Sequence, residues 1–355
     1  MIQRVLLLPA SLSLLFAGAH AADLSSTFPG KEWSRRTPAA AGLRESGLKA
    51  LAEYGGGSGC VVRAGCLVFE WGDISRPRDI ASAVKPFYTH FLLKAVEDGK
   101  VAGFDEPLLR WEPRLKDLNP DLGFKDRGIT WRHVCNQISC YGSIERPGTA
   151  FDYNDRNMAL FFDTLMLKVY GTTWEKVDEE VLHPLLTDVL QCQDNPTFMA
   201  FGTGNRPGRV AISPRDFARF GLLYLHEGNW NGKQLLNPEL VRLAVSTPLP
   251  LSIPRTSGKE AAMIPDQRSI GGGGNQCDHE GSYSYTWWIN GVCRDGTRNW
   301  PDVPADAFGC FGHGDIRAVV VIPSLDLIVS WNDTKIEGHE RVNEALKRVI
   351  KGAKP

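Results

Sequence analysis

Ser82-Ala83-Val84-Lys85 sets a hydroxyl and an amine three residues apart, so on a helix the two share one face. Nucleophilic serine chemistry needs a base beside the hydroxyl and fixed donors for the oxyanion that forms when a carbonyl is attacked. An unprotonated Lys85 would accept the Ser82 proton if burial and neighbouring groups lower its pKa. The spacing alone singles out no site, because Ser46-Gly47-Leu48-Lys49 repeats it. Context separates the two copies. Ser46 falls inside an amphipathic helical pattern, whereas Ser82 stands where an irregular segment meets an apolar one and can be presented to a cleft. The alternative for Ser82 is a helix N-cap with a solvated Lys85.

Asp79-Ile80-Ala81-Ser82-Ala83-Val84-Lys85 resembles the first motif of the serine β-lactamase and penicillin-binding superfamily. The branch it resembles holds class C β-lactamases, D-alanyl-D-alanine carboxypeptidases, esterases and 6-aminohexanoate-dimer hydrolases. Further segments follow in that family's order. Trp131-Arg132-His133-Val134 ahead of Ser139 resembles the helix before the second motif, and Tyr153-Asn154-Asp155 its Tyr-x-Asn segment. Ser213-Pro214-Arg215-Asp216-Phe217-Ala218-Arg219-Phe220-Gly221 resembles a later helix, and Gly312-His313-Gly314-Asp315 the third motif. The likeness runs from Trp33 to Ile350, and it rests on the joint order of these segments.

The resemblance implies an acyl-enzyme on Ser82, with Lys85 and Tyr153 sharing the general-base role. It also implies an oxyanion hole made by the Ser82 N–H and a backbone N–H near His313 or Gly314, with His313 itself able to touch substrate. Tyr153 as a core aromatic and His313 tucked against a sheet edge are the structural alternatives. Two departures stand out. Asp155 replaces the family's asparagine, exchanging an amide donor for an acceptor-only carboxylate, unless it caps the next helix. No lysine stands in the third motif, so a penicillin or D-Ala-D-Ala carboxylate loses its strongest ionic contact. Esterase or amidase chemistry therefore outranks β-lactamase or D,D-peptidase chemistry, and an inactive binding scaffold of the same fold is the remaining alternative.

The elements that must position these residues are legible as periodicity. Leu43, Leu48 and Leu51 share a helical face that ends at Gly55-Gly56-Gly57. Val61-Val62 and Leu67 to Trp71 flank Arg63-Ala64-Gly65 as a hairpin. Helices are expected from Ser82 to about Gly99, then at 129–138, 155–170, 174–186 and 213–227, with Ser213 as N-cap and Pro214 in the first turn. Strands return at 284–289, 317–322 and 325–331, and a last helix follows at 338–350. The order implies an α/β (α+β) fold of the β-lactamase/transpeptidase kind. One antiparallel sheet, built from 22–103 and 232–355, is flanked by helices, and a mostly helical inserted subdomain at 104–231 forms the second wall of a cleft. Trp287 and Trp288 fall on opposite faces of a strand, so one ring lines the cleft and the other is core. Residues 252–283 form a long polar loop of the kind that is functional or mobile.

The 355 residues are 43% hydrophobic and 23% charged, a globular composition. Forty basic residues against forty-one acidic leave a net charge of -1, which gives no field for nucleic acid or an anionic membrane. Residues 1–21 read as a secretory signal, with Arg4, an apolar Val5–Phe16 run and Ala19-His20-Ala21 as cleavage site. The expectation is a secreted or periplasmic protein without a membrane span, acting on a small-molecule or peptide-like substrate. Eight cysteines in an oxidising compartment predict disulfides, with Cys60/Cys66, Cys135/Cys140 and Cys277/Cys293 close enough for local pairs. Cys277-Asp278-His279-Glu280 lacks a second ligand pair at zinc spacing, so no metal is expected, and no cofactor motif is present.

Overall fold

The computed structural model describes residues 27–199, 206–351 and 353, so the secretory signal expected at 1–21 lies outside them. Seven strands form one antiparallel sheet: β1 (Ser58–Arg63), β2 (Cys66–Trp71), β3 (Tyr283–Ser284), β4 (Trp287–Ile289), β5 (Phe308–Gly312), β6 (Arg317–Ile322) and β7 (Leu327–Asn332). Their spatial order is β2-β1-β7-β6-β5-β4-β3, so the two chain ends meet where β1 pairs with β7. The helices are α1 (Glu45–Gly55), α2 (Lys85–Glu97), α3 (Trp131–Cys135), α4 (Asp155–Asp163), α5 (Pro214–Leu225), α6 (Pro238–Ser246) and α7 (His339–Ile350).

Alternation along the strands divides the core between the two sheet faces. Val61, Ala318, Val320, Leu327 and Val329 pack with Leu48 and Leu51 of α1 and with Val342 and Leu346 of α7. Cys60, Val62, Val319, Val321 and Ile328 face the other way, onto Phe87 and Phe91 of α2 and Phe217 and Phe220 of α5. Trp287 is fully buried and stacks on Phe220, with centroids 5.7 Å apart, while Trp288 faces the opposite side. The helix expected at 129–138 is confined to Trp131–Cys135, and that at 155–170 continues past Asp163 with π-type bonding over Thr164–Val169. The β5 strand carries Gly309 and Gly312 and no β-branched residue, which is why its periodicity is weak in the sequence.

No two of the eight cysteines are bonded to each other, and the expected local pairs are corrected accordingly. Cys66 pairs in register with Arg63, which is three residues beyond Cys60 on β1, so the two Cα atoms are offset by about 10 Å along the strand, beyond the reach of a disulfide. Cys60 Sγ instead donates to the Pro214 carbonyl at 3.6 Å. Cys135 Sγ donates to the Arg132 carbonyl at 3.5 Å, and Cys140 Sγ to the Ala150 carbonyl at 3.4 Å.

The end of β5 is docked directly on the Ser82 turn. A Cβ built on Gly312 would stand 2.1 Å from the Ile80 carbonyl oxygen, 2.8 Å from the Ala83 nitrogen and 3.1 Å from the Ser82 nitrogen. Backbone occupies that space, so nothing can swing aside. Gly312→Ala is expected to cost about 1–3 kcal/mol in urea unfolding and to displace the strand from Ser82; wild-type stability would show that the contact is not tight.

Candidate active site

The Ser82 turn is built from local strain and ion pairing. Ala81 has φ +51, a left-handed conformation that costs a non-glycine residue about 1–3 kcal/mol and persists only where the surroundings enforce it. Three contacts enforce it. Asp79 Oδ1 accepts from the Ala81 N–H at 2.9 Å, Arg209 holds the Asp79 carboxylate at 2.5 Å, and Ile80 N–H donates to the Val210 carbonyl at 2.9 Å. The Ala81–Val84 turn is 3-10 helical and runs into α2, whose second residue, Pro86, sits where no helix partner for its nitrogen is needed.

Ser82, Lys85, Tyr153 and Asp155 converge. Lys85 Nζ donates to Ser82 Oγ at 2.7 Å and to Asp155 Oδ1 at 2.8 Å, and lies 4.4 Å from the centre of the Tyr153 ring. Lys85 keeps 1% of its side-chain exposure and Asp155 9%. All four line one cleft of about 520 Å³, together with Arg209, Trp288, Gly312, His313, Gly314 and Asp315. The second serine–lysine pair is resolved as ordinary surface: Lys49 is 63% exposed and bonds Glu45 on its own helix at 2.8 Å.

Asn154, not Asp155, caps α4; its Oδ1 accepts from the Arg156 N–H at 2.8 Å and the Asn157 N–H at 3.3 Å. That frees Asp155 to turn inward to Lys85. Its second oxygen accepts from the Gly272 N–H at 2.8 Å, and its own N–H donates to the Gly273 carbonyl at 3.1 Å. The long loop is therefore fastened at the site, with Ile270, Gly271, Gly272, Gln276 and Cys277 forming part of the cleft wall. The Asn275 N–H adds a bond to Asp152 Oδ1 at 2.6 Å.

These contacts set the protonation of Lys85. Burial pulls its pKa down, but the Asp155 carboxylate and then Tyr153 more than offset that, and the net shift is upward. Burial pushes Asp155 up, yet the charge and hydrogen bond of Lys85 with the Gly272 N–H leave it below the ordinary carboxylate range. Tyr153 is raised, because burial outweighs the nearby ammonium. The resting site is an ammonium, a carboxylate and a neutral phenol. The condition set for an unprotonated Lys85, that burial and neighbours lower its pKa, is not met, because the ion pair across 70 residues of sequence keeps its charge.

His313, Gly314 and Asp315 turn away from β5 with φ of +53, +66 and +77, three left-handed residues in succession. His313 and Gly314 are exposed at the cleft, so the sheet-edge alternative for His313 does not hold. Sequence reasoning passed over Asp315 as a site residue, although the motif segment that contains it was in view; of Trp287 and Trp288, between which it left the cleft position open, Trp288 lines the cleft. Among the described residues no cluster of metal-ligating side chains occurs, and no helix is long and apolar enough to cross a membrane.

No family model and no curated protein matches the chain. Solved structures do. A beta-lactamase from Mycobacterium bovis is 18% identical, with a TM-score of 0.55 over 87% of this chain and 100% of that one. A penicillin-binding protein homologue from Caulobacter crescentus is 13% identical, with a TM-score of 0.56 over 88% and 99%. A D-stereospecific amidohydrolase from Streptomyces is 15% identical, with a TM-score of 0.52 over 84% and 97%. The chain has the β-lactamase/transpeptidase fold that its motif order implied.

Proposed function

We propose that the protein is a serine hydrolase that cleaves an ester or amide through an acyl-enzyme on Ser82. The observation that carries this reading is the 2.7 Å contact between Lys85 Nζ and Ser82 Oγ, inside a cleft and backed by Asp155. Ser82 Oγ attacks the substrate carbonyl carbon. Its proton passes to Lys85 Nζ as Lys85 gives one to Asp155 Oδ1, so Lys85 stays an ammonium beside a neutral Asp155 acid, and its positive charge is balanced by the oxyanion that forms a short distance away. The Ser82 N–H and the His313 N–H, one residue beyond the Gly312 contact, stabilise the oxyanion. Collapse breaks the bond to the leaving group, which takes the Tyr153 hydroxyl proton; Tyr153 is reprotonated from the Lys85–Asp155 pair. Water, activated by the same groups, then releases the acid.

Esterase or amidase activity is favoured over β-lactamase or D,D-peptidase activity. Asp155 offers no amide donor, and its carboxylate is paired with Lys85. An exported location follows from the signal-like residues 1–21 and is part of the same proposal. Purified protein incubated with a fluorophosphonate probe, p-nitrophenyl esters and a labelled penicillin tests the reading. Labelling of Ser82 with ester turnover supports it, penicillin acylation in place of ester turnover replaces it with the D,D-peptidase reading, and neither labelling nor turnover leaves an inactive scaffold.

Tyr153→Phe removes the proton donor to the leaving group and keeps the ring packing against Tyr283 and Trp288. It is expected to lower kcat by about 10²–10⁴-fold with KM little changed; a KM effect alone would remove Tyr153 from proton transfer.

A further inference from the structure

The residue ahead of Ser82 is held in a conformation that only glycine takes without cost, since Ala81 has φ +51. Relaxation of Ala81 to a negative φ would swing the peptide that carries the Ser82 N–H. It would also part Ser82 Oγ from Lys85 Nζ, which it meets at 2.7 Å. The alignment of the hydroxyl therefore depends on whatever keeps Ala81 left-handed.

That support converges on one side chain. Arg209 grips Asp79 with two nitrogens, Nη2 on Oδ2 at 2.5 Å and Nε on Oδ1 at 3.1 Å. The same Oδ1 accepts from the Ala81 N–H at 2.9 Å. The backbone that follows Arg209 serves the turn as well: the Val210 carbonyl accepts from the Ile80 N–H at 2.9 Å, and Ala211 and Ile212 pair antiparallel with Asp79 and Arg78. A ladder of two residues is too short to fix the Asp79 carboxylate without the guanidinium. Arg209 also backs the opposite wall. A Cβ built on Gly271 would stand 3.7 Å from Arg209 Nη1 and 2.9 Å from Asp155 Oδ2, so the guanidinium supports the glycine that lies against Asp155.

We propose that Arg209 is a positioning residue. Its fork on Asp79 keeps Ala81 left-handed and thereby aligns the Ser82 hydroxyl and N–H, without contact to the substrate. The geometry stands by itself; the consequence for turnover rests on the hydrolase reading. The rival role for a cation that lines a cleft is to bind a substrate anion. The two roles separate, because the first depends on which residue stands at position 81 and the second does not.

The test is a double-mutant cycle between positions 209 and 81, read with p-nitrophenyl acetate, a neutral ester that offers a guanidinium no charge. Arg209→Met is expected to lower kcat by about 10–100-fold with KM within about threefold of wild type, as misplacement rather than a lost substrate contact does. In an Ala81→Gly background, where the left-handed angle needs no enforcement, the same substitution should lower kcat by only about threefold or less. Arg209→Lys keeps the charge but cannot span both Asp79 oxygens; its kcat should fall between Arg209→Met and wild type, and it carries the cycle if Arg209→Met does not fold. Hydrogen exchange of the peptide spanning residues 79–84 needs no turnover. It should quicken by about tenfold in the Arg209 variants while peptides from β6 and β7 keep their protection. Three results would overturn the proposal: an Arg209 effect of equal size in both backgrounds, an effect confined to KM, or unchanged exchange at 79–84. If the wild-type protein turns over no ester, the hydrolase reading fails by itself, and the exchange rates alone decide whether Arg209 holds the turn.

Discussion

Ser82→Ala is expected to lower ester turnover by about 10⁴-fold or more, since loss of the nucleophile in a serine hydrolase leaves only oxyanion and binding contributions. The substitution removes one oxygen from a half-buried residue whose turn is held by Asp79, Arg209 and Val210 rather than by the Ser82 hydroxyl. Urea unfolding should therefore stay within about 0.5–1 kcal/mol of wild type. Retained turnover in a folded Ser82→Ala protein would take Ser82 out of the mechanism.

Lys85→Met should be costly twice over. It preserves side-chain volume but strands the Asp155 carboxylate in a buried position, which destabilises by about 3–5 kcal/mol. It also removes the acceptor of the Ser82 proton, lowering turnover by about 10²–10⁴-fold. Adding Asp155→Asn to Lys85→Met should recover most of the stability and none of the activity. The pH dependence gives the sign of the same coupling. Asp155, with its pKa depressed, contributes stability that is present above its ordinary value of 3.8 and is lost as pH falls through the lower folded value. Lys85, with its pKa raised, contributes stability that is present below its ordinary value of 10.5 and is lost as pH rises through the higher folded value. The double variant should lose both limbs. An activity that recovers with stability in the double variant would reduce Lys85 to a structural cation.

The order of motifs in the sequence carried the fold because each motif sits on an element whose local signals agree with it. Ser213 and Pro214 cap α5 where expected, with Ser213 Oγ accepting from the Asp216 N–H at 3.2 Å, and the hairpin of β1 and β2 follows its Gly65 turn. The grouping of Ser82, Lys85 and Tyr153 was legible for the same reason. What escaped was set by contacts remote in sequence. The charge on Lys85 depends on which oxygen of a residue 70 positions away reaches it, and that in turn depends on Asn154 taking over the helix cap. Proximity in sequence misled for Cys60 and Cys66, because strand register, not loop length, sets their separation. Asp315 stood in the third-motif segment but carried no signal of its own for a place in the cleft, which follows from three left-handed residues in a row.

Trapping the covalent intermediate tests the central claim most directly. The protein is mixed with p-nitrophenyl acetate, quenched in acid within the first turnovers, digested and weighed by mass spectrometry. An acetyl group on the peptide containing Ser82, formed with the initial burst and lost as hydrolysis proceeds, is the predicted result. Steady release of p-nitrophenol with the Ser82 peptide unmodified at every time point, or with the acetyl group on another residue, would contradict it.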